Sequence, residues 1–211
     1  KTAVFAEEKV ANGAGLTTDI FVYSNDTLRN LAPDGEDTAS HSTYRPVAVY
    51  ASDVNGDGIT ELPRAVLMAG YKDTSSSDAV YMLDWYAYGI GKVPAKVAAT
   101  YQNISDAWSL LIDQKWHDRI TAIKANDGGL SYVEFFEYRK NKMSIPLFNI
   151  YCATGSNREY YAERTDLIQL GQTTQAIYFA KLTNEGEQSE LALTGDEIKA
   201  RFSLVNQAWN N

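Results

Sequence analysis

Cysteine is nearly missing from this chain: Cys152 is the only one in 211 residues. An internal disulfide framework is therefore excluded, and a lone Cys in the apolar run Phe148–Ala153 reads as a buried small hydrophobe. Only two histidines are present, His41 and His117, in unrelated contexts. With one thiol, that leaves too few nitrogen and sulfur ligands for a zinc site. No G-x-S-x-G elbow occurs, and Gly89-Ile90-Gly91-Lys92 lacks the spacing and the hydroxyl residue of a phosphate loop. No apolar run reaches the roughly 18 residues that a membrane-spanning helix needs. Positive charge is in deficit: the net charge is −8, which argues against nucleic acid and anionic lipid as partners.

What is present points to a β-rich globular chain. Hydrophobic residues make up 45%, enough for a core, and 14 tyrosines lean towards strand structure. The stretch Asp53-Val54-Asn55-Gly56-Asp57-Gly58-Ile59-Thr60-Glu61 concentrates the chemistry. Calcium is a hard cation that takes oxygen ligands from tight loops of alternating side chains. Asp53, Asn55, Asp57 and Glu61 supply side-chain oxygens, Ile59 supplies a carbonyl, and Gly58 permits the turn. An EF-hand would need a bidentate Glu three residues after Glu61, where this chain has Arg64. The flanks, Arg45–Ala51 and Glu61–Ala69 with Pro63, read as strands rather than helices. The expected ion is structural Ca²⁺ that neutralises carboxylates which otherwise repel.

Residues 1–100 read as an antiparallel meander. Its strands are expected at 19–23, 28–31, 46–51, 64–70, 79–88 and 95–101, separated by polar turns. Residues 101–211 read as an α+β domain. Asp113 caps a single turn ending near Trp116, and strands follow at 119–124, 130–138 and 145–153. A hairpin turn is expected at Asn126–Gly129, and a strand pair at 167–170 and 177–182 about Gly171-Gln172. Thr194-Gly195-Asp196-Glu197 is a capping box that opens a helix with Ile198 and Phe202 on one side. The expected class is α+β, mainly β, in two domains, 1–100 and 101–211.

Catalysis finds little footing. Glu134 and Glu137 lie three apart on one strand and so face opposite sides, which prevents them from acting as an acid–base pair. Asp84, beside Trp85 in an aromatic strand, reads as a solvent-facing position of an alternating strand. Arg158, in the loop after a buried strand, is suited to anion binding or to a structural ion pair. Asp84, Trp85 and Arg158 are the ligand-binding candidates outside the metal loop. Aromatics including Trp108, Trp116, Tyr160 and Tyr161 suit packing first and stacking on a ligand second.

The loop Asp53–Glu61 between two strands resembles the calcium loops of FG-GAP/VCBS-type repeats, the blade units of integrin-like β-propellers. That resemblance implies a propeller-blade-like sheet in residues 1–100. In the second half, the order of a strand, the segment Trp108–Trp116, hairpins and a helix is similar in outline to PsbP/Mog1-like domains. The segments Thr18–Phe21, Asp53–Arg64, Leu83–Tyr86, Tyr101–Trp116, Ile150–Glu159 and Ala200–Trp209 together resemble a family of bacterial surface lipoproteins with no assigned activity. The family implies export and membrane tethering. The start at Lys1–Phe5 reads as the middle of a strand, so the anchor is expected in a preceding segment. The sequence thus predicts a calcium-stabilised, non-enzymatic binding module at the cell surface, with a protein or a carbohydrate as partner. The alternative is a hydrolase or enzyme accessory domain with a cleft between the two halves.

Overall fold

The computed structural model describes residues 2–10, 15–32, 43–72, 78–127 and 130–205, with Asn157 described by its backbone alone. Among them are thirteen strands and two short α-helices, and the strand pairings recorded are antiparallel. The chain divides into two compact units, Lys1–Val66 with Met82–Thr100, and Leu67–Tyr81 with Tyr101–Asn211. Residues 67–72 and 78–81, read from sequence with the first half, belong to the second unit.

In the first unit, β1 (Ala3–Lys9), β2 (Leu16–Ser24) and β3 (Thr27–Asn30) form a three-stranded meander. Every second residue of β2 is buried, from Leu16 through Thr18, Ile20 and Val22 to Ser24, as expected for a strand with one covered face. Asn25 and Asp26 take positive φ at 52° and 57°, the geometry of a tight hairpin turn that suits these two residue types. Next to each other lie β4 (Leu62–Leu67), β5 (Tyr81–Ala87) and β6 (Ala95–Asn103).

The expected strand at 46–51 does not form. Its polar backbone groups are bonded elsewhere. The fully buried Arg45 donates from Nε to the Val49 carbonyl and pairs with Glu7 at 2.9 Å. Glu7 Oε1 also accepts the Ala51 amide at 2.7 Å. A buried ion pair thus replaces a ladder, and isolated bridges flank the segment at Leu16↔Arg45 and Ser52↔Glu61.

The second unit is built on a five-stranded sheet. Its order is β11 (Ile168–Gln172), β12 (Ala176–Leu182), β10 (Lys142–Thr154), β9 (Leu130–Arg139) and β8 (Ile120–Asp127). The long strand β10 lies in the middle. Gly171 and Gln172, expected at a turn, lie within β11, and the chain reverses at 173–175 instead. The turn expected at Asn126–Gly129 lies partly outside the described residues. Val133, Phe135, Phe148 and Ile150 fill one face of the sheet, with Phe135 and Phe148 stacked at 4.8 Å. Trp116 packs on Phe148 at the end of a 3₁₀ turn, which Asp113 caps as expected. Helix α1 (Arg158–Ala162) follows β10, and α2 (Gly195–Arg201) opens on a complete Thr194/Glu197 capping box. Phe202 begins β13 (Phe202–Leu204), which pairs with β7 (Trp108–Leu111), rather than extending the helix.

Candidate metal centre

The loop Asp53–Glu61 is closed at its base by a reciprocal pair of hydrogen bonds between Ser52 and Glu61, at 3.0 and 2.9 Å. Gly56 and Gly58 take φ of 77° and 83°, a left-handed geometry that favours glycine. Asp53 organises the turn. Its Oδ1 accepts the Gly56 and Asp57 amides at 2.7 and 3.1 Å, and its Oδ2 accepts the Gly58 amide at 2.8 Å. These amides, that of Gly58 foremost, hold the Asp53 carboxyl below the usual aspartate range. Asn55 accepts the Asp57 amide and donates to Asp57 Oδ2, both at 3.0 Å. Asp57 Oδ1 accepts the Ile59 amide at 2.8 Å.

Glu61 differs from the exposed acids above it. Its side chain is buried; Oε2 accepts the Val54 amide at 3.0 Å, and Oε1 has no hydrogen-bond partner. Burial pushes this carboxyl above the usual glutamate range, and the nearby Asp57 and Asp53 charges push it further. A buried carboxylate oxygen left without a donor is costly. A hard cation would satisfy it, and oxygen donors are what such an ion takes. The loop therefore fits calcium by donor chemistry and by this orphaned atom. The carboxylates are also engaged with the loop's own amides, and among the described residues no three His, Cys, Asp or Glu side chains converge as a ready metal cluster.

The other sequence candidates are engaged in the structure. Asp84 is buried and paired with Lys96 at 2.7 Å, not solvent-facing as its strand position suggested. Trp85 is 1% exposed, and its indole N–H donates to Thr100 Oγ1 at 2.8 Å. Arg158 donates to the Thr174 carbonyl. Arg64 lies over the Tyr86 ring at 4.7 Å and donates to the Tyr88 hydroxyl at 2.7 Å.

Sequence reasoning passed over a second constellation. On the far face of the β9–β10 sheet, Tyr132 stands directly opposite Tyr151, and Glu134 opposite Asn149. The two tyrosine rings lie 5.3 Å apart at 32°. Together with Tyr161, Arg164 and Lys181 they line a cleft of about 260 Å³. Strand alternation placed these side chains on one face, but nothing local showed that the face is left partly open.

Comparison with known proteins adds no assignment. No family model, curated protein or solved structure matches the chain.

Proposed function

We propose that this chain is a calcium-stabilised, non-catalytic binding module displayed outside the cell, with a propeller-blade-like first half. The observation that carries the metal reading is the Glu61 carboxylate, buried with Oε1 unpartnered beneath a loop rich in oxygen donors. Asp53, Asn55, Asp57, Glu61 and the Ile59 carbonyl would hold the ion, and its charge would offset three neighbouring carboxylates. Metal binding to the folded state alone then becomes folding free energy. The surface-lipoprotein resemblance and the net charge of −8 support a calcium-containing milieu outside the cell.

The hydrolase alternative would draw on Asp84, Trp85 and Arg158. The pairing of Asp84 with Lys96 and the burial of Trp85 lend it less support.

The test is thermal unfolding with calcium and with a chelator at neutral pH. Calcium at 100 times its Kd stabilises by about 2.7 kcal/mol. For a chain of this size that is a rise of roughly 5–10 °C in Tm. Asp57→Ala abolishes the response. A chelator-insensitive wild-type melting curve overturns the metal reading.

A further inference from the structure

The open face of the β9–β10 sheet carries a recognisable mixture of groups. Tyr132 and Tyr151 are cross-strand neighbours whose rings lie 5.3 Å apart, tilted at 32°, and both line the cleft. Asn149 braces them, donating to the Tyr151 hydroxyl at 3.0 Å and to Glu134 Oε1 at 3.4 Å. Tyr161 of α1 and Arg164 just beyond it wall one side, and Lys181 of β12 stands opposite Asn149 in the ladder. Asp166 holds Arg164 at 2.8 and 2.5 Å and reaches Lys181 at 3.6 Å, which fixes both cations and partly neutralises them.

The chemistry of the cleft selects among ligands. An anion would meet Glu134 and Asp127 in the lining; a cation would meet Arg164 and Lys181. Neither sign of charge is favoured. A neutral polyol is. Each sugar hydroxyl both donates and accepts, so it is satisfied by carboxylate and by guanidinium or ammonium at once. The axial C–H face of a pyranose is apolar and stacks on a tyrosine ring. The volume, about 260 Å³, lies just below the roughly 300–1,000 Å³ of ordinary small-molecule pockets. One or two sugar rings suit that space.

We infer that the cleft between Tyr132, Tyr151, Tyr161 and Arg164 is a binding site for a neutral pyranoside, stacked on the tyrosine pair and held by Glu134 and Lys181. This rests on the binding-module reading and names its ligand class.

The test is a glycan array of neutral hexosides, pentosides and N-acetylhexosaminides. It is followed by NMR titration of the binders with the tyrosine rings as reporters, with calcium and with chelator. At least one neutral pyranoside binds and shifts the Tyr132 and Tyr151 ring signals. Tyr151→Ala weakens binding about tenfold, while Tyr132→Phe keeps the ring and most of the affinity. Glu134→Gln weakens binding severalfold at unchanged Tm, which separates recognition from folding if Tyr151→Ala does not fold. The inference is overturned if no neutral pyranoside binds. It is equally overturned if binding survives both Tyr151→Ala and Glu134→Gln, or if glycine betaine or glutamate binds in preference. The calcium reading is judged separately by the melting curve, so either can fail without the other.

Discussion

Val54 and Glu61 share a single hydrogen bond, from the Val54 amide to Glu61 Oε2 at 3.0 Å, while the other oxygen of the same carboxylate is sealed from water without a donor. The folded protein therefore favours the protonated acid when no ion is present, and its pKa lies above the unfolded value. The resulting stability is fully present below the ordinary glutamate range and is lost as pH rises through the raised folded value. Metal-free protein should gain Tm on acidification from about pH 7 towards about pH 5, and calcium-loaded protein should lose it. Glu61→Gln should remove both the gain and the calcium response while leaving metal-free stability at neutral pH unchanged or higher. Melting curves over pH, with and without calcium, check all three.

Glu137 is the buried acid of the second unit. It accepts from Ser189 at 2.5 Å and Arg139 at 2.6 Å, and pairs with Arg119 at 3.3 Å. Burial pushes its carboxyl up, but these partners outweigh burial and hold it below the ordinary glutamate range. Its stability contribution is present above the unfolded pKa and is lost as pH falls through the folded value. Glu137→Gln should cost about 1–3 kcal/mol at neutral pH by denaturant titration, with the difference shrinking in acid.

The Cys152 thiol is buried, and burial pushes its pKa up to about 11. Native protein should therefore resist labelling by Ellman's reagent at mildly alkaline pH, and the labelling rate should follow unfolding as denaturant is added. Fast stoichiometric labelling of native protein would show an accessible thiolate instead.

Asp166 is exposed, and its hydrogen bonds from Arg164 hold its carboxyl down to about 2. Carboxyl-selective NMR titration should find the Asp166 pKa lower in the wild type than in Arg164→Ala. The pair lies at the surface, so Arg164→Ala should change Tm little.

Much of the architecture could be read locally. The caps at Asp113 and Thr194, the tight turn at Asn25-Asp26 and the alternation of β2 and β9 are set by neighbours a few residues apart. Local patterns misled where a long-range partner took the backbone. Residues 46–51 look like a strand, yet Arg45 and Glu7 bind their polar groups instead. Asp84 reads as a solvent-facing position of an alternating strand, yet it is buried like its neighbour Trp85, because alternation identifies two faces and not whether both are covered.

The sequence by itself determined the oxygen-rich loop, since its donors sit at fixed short spacing and its glycines permit the turn. It also determined the mainly antiparallel β character, through polar turns between alternating apolar runs. Only tertiary structure decided which loop carboxylate is buried and which face of β9 and β10 stays open. Burial and register depend on residues distant in the chain: Glu61 acquires its isolation, and Tyr132 its partner Tyr151, only when separate strands are laid side by side.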